Sequence, residues 1–315
     1  MKSKNPFYTE YINLNGIKHF LLHYPSNPTL PVILFLHGGP GMAESLFSYY
    51  FQASIGENYQ VVHWDQRGAG KTLSKNKPLH YPSLQESIQD LKAVIEYLKV
   101  KYTKQKIVLL GHSWGSLFGS IYLMTYPEDV EYYIGVAQVV DIIENENKGF
   151  DALKSKILAS KNKKDLRIIE SIGVYPEHNY ELSMIKKLQK VRLLQSKYKI
   201  GMNFKPILRT MFRSPIFRLS DIFSLFKGMM FNKPLWEYLF QHSLFEFPID
   251  YPVNVYYILG EMDFQAPYHL AQSYFDLINT AQKKCFIVPE AGHFLMLDQP
   301  ERFSSILGEI SMQEH

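Results

Sequence analysis

Gly111-His112-Ser113-Trp114-Gly115 constrains this chain more than any other feature. It follows the apolar run Ile107-Val108-Leu109-Leu110 and precedes a helical pattern rich in small residues, Ser116-Leu117-Phe118-Gly119-Ser120-Ile121. A short apolar strand, a G-x-S-x-G turn and a helix make a nucleophile elbow, a strained turn that stands a serine hydroxyl clear of a sheet. The two flanking glycines are expected to let the backbone bend there without a Cβ clash.

The rest of the chain supplies a sheet for that elbow. Tyr8 to Tyr24 reads as two strands around Asn15-Gly16, the signal of a tight hairpin. Pro31–Leu36 and Tyr59–Trp64 are apolar runs, each closed by a glycine-containing turn: His37-Gly38-Gly39-Pro40-Gly41 and Asp65-Gln66-Arg67-Gly68-Ala69-Gly70. Ser83 with Glu86 predicts a capping box, and Ile88, Leu91, Val94, Ile95 and Leu98 give the helix that follows an apolar face. Tyr132–Ala137, Val253–Leu259 and Cys285–Val288 complete the strands. Strands alternating with helices predict a mostly parallel, doubly wound sheet of the α/β-hydrolase kind. Residues 141–250 break the rhythm, with helical patterns, scattered prolines and many Phe and Met residues but no convincing strand. We therefore expect a core of residues 1–140 and 251–315 and a helical cap, 141–250, inserted after the sixth strand.

Composition narrows the class. At 315 residues the chain is one large domain, or one with an inserted module. Its single cysteine, Cys285, excludes an internal disulfide. Met1 to Pro6 leads into no apolar segment of the signal-peptide kind, and no run approaches the ~18 apolar residues of a membrane span. A cytoplasmic protein is expected. The formal charge of +4 is uneven: residues 141–250 carry a net +7 and the remainder −3. Between Leu182 and Ser220 stand ten basic residues and no acid, read here as the solvated outer face of a helical module. No nucleic-acid motif accompanies the charge, so a nucleic-acid partner is not expected. His19 and His23 lie on a strand-like stretch, and no Cys or His set has metal-ligand spacing. Nor does any glycine-rich loop fit a nucleotide, so neither metal nor cofactor is expected.

An activated serine needs a general base, and the base an orienting carboxylate. In this fold the chain order is Ser, then Asp or Glu, then His. Asp263, after the strand ending at Leu259, and His293, after the last strand, satisfy it beside Ser113; Glu261 is the rival carboxylate. The oxyanion of a tetrahedral intermediate needs preorganised donors. The Trp114 N–H and, in the glycine turn after the third strand, the Gly39 N–H in preference to that of Gly38 are the candidates.

His37-Gly38-Gly39-Pro40-Gly41, Asp65-Gln66-Arg67-Gly68-Ala69-Gly70 and Gly111-His112-Ser113-Trp114-Gly115-Ser116, in that order and spacing, resemble the proline iminopeptidase family. These are α/β-hydrolase serine aminopeptidases that remove an N-terminal residue, often proline. The resemblance covers about residues 5–140 and 251–312. It implies the same triad and oxyanion donors, and a small-molecule or short-peptide substrate. The chain departs from it at His112, where a glycine is usual, and at Ala137-Gln138-Val139-Val140, where a Leu-Arg-Gly run is usual. Such enzymes hold the substrate ammonium with cap acids, for which Glu144, Glu146, Glu237 and Glu246 are the candidates. We expect at least one to face the cleft above Ser113. The alternatives are an esterase or amidase for a small apolar substrate and a ligand-binding protein on a hydrolase fold. The oligomeric state is left open.

Overall fold

Asn15 and Gly16, with φ of 48° and 79°, turn β1 (Tyr8–Leu14) back onto β2 (Ile17–Tyr24). Two successive positive φ angles are what a twisted two-residue hairpin demands. The computed structural model describes residues 6–77, 80–202 and 204–315, so the reading made from Met1–Asn5 lies outside the described residues. β2 pairs antiparallel with β4 (Gln60–Asp65). From there every pairing is parallel, through β3 (Val32–Leu36), β5 (Ile107–His112), β6 (Val130–Val136), β7 (Asn254–Gly260) and β8 (Lys283–Val288). The order is β1-β2-β4-β3-β5-β6-β7-β8.

Short α1 (Gln52–Ile55) and α2 (Gly70–Lys75) flank β4, and α3 (Leu84–Tyr102) leads into β5. The Ser83–Glu86 capping box is present, and the five apolar residues assigned to the face of α3 are all buried. α4 (Trp114–Thr125) follows the elbow. Between β6 and β7 come α5 (Ile142–Ser160), α6 (Lys163–Glu170), α7 (Leu182–Lys197), α8 (Phe204–Phe212), α9 (Ser220–Phe231) and α10 (Lys233–Gln241). The chain ends with α11 (Tyr268–Leu277), α12 (Leu295–Asp298) and α13 (Pro300–Glu314).

Strand periodicity sorts side chains into cores on both faces of the sheet. Val32, Leu34 and Leu36 of β3 join one core with α3 and α4, while Ile33 and Phe35 join another with Phe303, Ile306 and Leu307 of α13. Each such fully buried side chain contributes about 2 kcal/mol of transfer free energy. The first core runs on into the inserted helices through Phe150, Leu153, Val191, Leu194, Leu235 and Leu239. These helices therefore share one apolar core with the sheet. No described helix is long and apolar enough to cross a membrane, and the described residues contain no cluster of three or more metal-ligand side chains.

Candidate active site

The parallel strands all end at one edge, where open α/β sheets place their ligands. There β5 delivers Ser113 at φ 54° and ψ −121°, a conformation few non-glycine residues adopt. The flanking glycines serve close approach, and neither has a positive φ. A Cβ on Gly115 would lie 2.0 Å from the Leu36 carbonyl oxygen, and one on Gly111 would lie 2.2 Å from that of Gly115. The pattern therefore exists because three backbone segments touch at the elbow, more than because the turn needs glycine torsions.

The loops after β7 and β8 bring the other two predicted residues to the serine. Ser113 Oγ lies 3.0 Å from His293 Nε2, and His293 Nδ1 lies 2.8 Å from Asp263 Oδ2. An ionised carboxylate only accepts, so Nδ1 carries the proton and Nε2 is left to accept the serine hydroxyl. Asp263 is fixed in turn: its Oδ1 accepts the N–H groups of Gln265 and Ala266, at 2.8 and 2.9 Å. The rival Glu261 is exposed, facing the Glu290 N–H at 3.4 Å.

The glycine turn after β3 lies against the elbow, with the Cβ position of Gly38 3.1 Å from that of Ser113. Gly38 donates its N–H to Glu44 Oε1 at 2.9 Å. Among the described residues nothing accepts the N–H of Gly39. The Trp114 N–H, in the first turn of α4, has no carbonyl one helical turn behind it to bond. Neither N–H is spent on a bond among the described residues.

Glu44 is a residue that sequence reasoning missed, and its partner is the departing residue His112. His112 Nδ1 lies 2.6 Å from Glu44 Oε1, and Nε2 lies 2.8 Å from the His293 carbonyl oxygen. Both side chains are buried. Both partners are acceptors, so His112 donates from both ring nitrogens and is an imidazolium. Burial opposes its charge, yet the Glu44 carboxylate outweighs that cost and holds the His112 pKa above the ordinary histidine value. Burial likewise pushes Glu44 up, but His112 prevails and holds it below the ordinary carboxylate value. The pair ties the glycine turn, the elbow and the His293 loop together.

The four candidate acids stand in different surroundings. Glu144 and Glu246 are exposed, so neither offers a desolvated site for an ammonium group. Glu237 sits on the outer part of α10 and pairs with Lys233 at 2.9 Å, an i,i+4 contact. Glu146 alone is buried, and its carboxylate is already held by Arg192 and by the Tyr175 hydroxyl. Glu146 is thus the one buried acid of the four, and its partners Arg192 and Tyr175 are tertiary contacts that sequence spacing cannot reveal.

A family model described as serine aminopeptidase, S33, matches residues 28–200, more than half of the chain. A probable aminopeptidase, YbaC, of Bacillus subtilis (strain 168) is 24% identical over 298 residues, 94% of this chain and 93% of that one. A proline iminopeptidase of Neisseria meningitidis is 31% identical over 130 residues, 41% of this chain and 39% of the relative. Among solved structures, a proline iminopeptidase-related protein of Thermus thermophilus superposes with a TM-score of 0.65 at 18% identity, covering 98% of both chains. An epoxide hydrolase of Vigna radiata does so at 0.62 and 17%, covering 98% of each, which shows the shared fold alone. The protein is thus a serine hydrolase of the α/β-hydrolase fold, and it belongs to the proline-iminopeptidase-like S33 serine aminopeptidase family.

Proposed function

We propose that the protein hydrolyses its substrate through an acyl-enzyme on Ser113, with His293 as general base and acid and Asp263 as its orienting carboxylate. The observation that carries this reading is the unbroken hydrogen-bonded series from Ser113 Oγ through the His293 ring to Asp263. Ser113 Oγ attacks the carbonyl carbon as its proton passes to His293 Nε2, and the carbonyl electron pair moves onto oxygen. The N–H groups of Gly39 and Trp114 stabilise that oxyanion. Collapse breaks the bond to the leaving group, which takes the proton from Nε2. A water molecule then repeats the sequence on the acyl-enzyme and frees Ser113. Residues 141–250 form a cap over the 1–140 and 251–315 core and select the substrate.

The leaving group is proposed to be an amine, from removal of an N-terminal residue, in keeping with the probable aminopeptidase that matches along nearly the whole chain. In this reading Glu146 shares its charge between Arg192 and the substrate ammonium. The second reading, an esterase or amidase for uncharged substrates, is favoured by the pairing of that acid with Arg192. A panel of aminoacyl amides, prolyl amide included, and short-chain aryl esters separates them. The aminopeptidase reading expects amide turnover that Glu146→Gln impairs by roughly tenfold to a hundredfold, the loss of a charge-assisted hydrogen bond. Turnover of esters alone, indifferent to Glu146→Gln, supports the second reading and overturns the first.

A further inference from the structure

Helix α9 is turned inside out. The residues that it buries are Asp221, Ser224 and Gly228, at helical spacing. Asp221 takes the Lys71 ammonium at 2.8 Å, Ser224 meets the Ser74 hydroxyl, and Gly228 lets the helix backbone lie directly on Gly41. Its apolar stripe points the other way. Leu219, Phe223, Phe226 and Met230 follow one another at i, i+4, i+7 and i+11, each at least 71% exposed. Leu208 and Phe212 of the neighbouring α8 are exposed as well. The helix gains nothing from this face in the folded monomer, and contiguous exposed apolar surface of this kind marks a docking site.

The charge around the stripe says what docks. Between Pro206 and Asn232 the exposed charged residues are Arg209, Arg213, Arg218 and Lys227, all basic; the one acid, Asp221, is buried on Lys71. The stripe consists of long, exposed apolar side chains on one face of α9, opposite its buried Asp221, Ser224 and Gly228. Such a face fits a soft, continuous apolar layer beneath a sheet of negative charge. A helix with aromatic and aliphatic residues on one face and Arg or Lys at its borders lies in the headgroup region of a bilayer.

We propose that α8 and α9 form a docking surface for an anionic lipid bilayer, with Phe223, Phe226 and Met230 inserted among the acyl chains and Arg213, Arg218 and Lys227 on the headgroups. Because α9 also rests on the glycine turn beside Ser113 through Gly41, docking holds the mouth of the site at the membrane surface. The inference does not depend on which leaving group the enzyme accepts.

Flotation with vesicles of equimolar phosphatidylglycerol and phosphatidylcholine, and of phosphatidylcholine alone, tests it. The wild type is expected to float with the anionic vesicles and to bind the neutral ones at least roughly tenfold more weakly. Added salt should weaken the anionic binding. Phe223→Ser/Phe226→Ser and Arg213→Glu/Arg218→Glu should each weaken it by roughly tenfold or more, with thermal unfolding midpoints matching the wild type. Wild-type protein that ignores anionic vesicles, or folded variants that bind as it does, overturn the proposal. So does a wild-type dimer in sedimentation velocity that Phe223→Ser/Phe226→Ser dissociates, without vesicle binding, since a second copy then covers the stripe.

Discussion

Ser113 sits in a backbone conformation that costs a non-glycine residue about 1–3 kcal/mol. Its side chain is small and half-buried, so it does little packing. Ser113→Gly is therefore expected to abolish turnover while leaving the thermal unfolding midpoint equal to the wild type or above it; a clear drop in the midpoint would mean that the hydroxyl holds the fold. Beside it, the His112–Glu44 pair fixes where Gly38 and the His293 carbonyl stand. Glu44→Gln keeps an acceptor for Gly38 but removes the charge that His112 needs. We expect kcat to fall by about tenfold to a hundredfold, the worth of a charge-assisted bond, with KM changed less than about threefold. A rise in KM at unchanged kcat would place Glu44 in substrate binding instead. The pair also has a pH signature. Glu44, held low, contributes stability that is lost as pH falls through its folded pKa. His112, held high, contributes stability that is lost as pH rises through its own.

Elements show where sequence is a good guide and where it is not. The strands, the capping box of α3 and the elbow are legible because their signals are local: alternation, a side-chain cap and a turn with its flanking strand and helix. The positions of Ser113, Asp263 and His293 are legible for a related reason, since each lies just beyond the C-terminal end of a parallel strand. Helix α9 defeats the same logic. Periodicity would turn Phe223 and Phe226 inward, yet the inner face is Asp221, Ser224 and Gly228, because Lys71 and the Gly41 backbone wait there. Lys71 and Glu44 find their partners across 150 and 68 residues of sequence, a separation that no local pattern encodes. The close contact between Gly228 and Gly41 yields a direct prediction. A Cβ on Gly228 would lie 2.3 Å from the Gly41 carbonyl oxygen. Gly228→Ala should destabilise the protein by about 1–3 kcal/mol, as overpacking does, and lower turnover by displacing the glycine turn. Unchanged stability in chemical denaturation would show that α9 is free to shift.

At the scale of the whole molecule, buried charge ties α9 to α2 and the end of β4. Asp65, at the end of β4, lies beside the Lys71–Asp221 pair, and burial pushes its pKa up to about 6. A carboxyl group whose pKa rises on folding costs stability as pH increases from its unfolded value to its folded one. Asp65→Asn removes that cost while keeping an acceptor for the Lys71 N–H. The variant should therefore gain on the wild type by about 3 kcal/mol between pH 4 and pH 7 in urea titrations. A constant difference across that range would contradict a carboxyl whose burial outweighs its hydrogen bonds. The proposed mechanism requires Ser113 to be a nucleophile activated by His293. Reaction with a fluorophosphonate, followed by peptide mapping, measures that directly. A single adduct on Ser113 is predicted, absent from Ser113→Ala and formed roughly a thousandfold more slowly in His293→Ala. An unlabelled protein, an adduct elsewhere, or an undiminished rate in His293→Ala would contradict it.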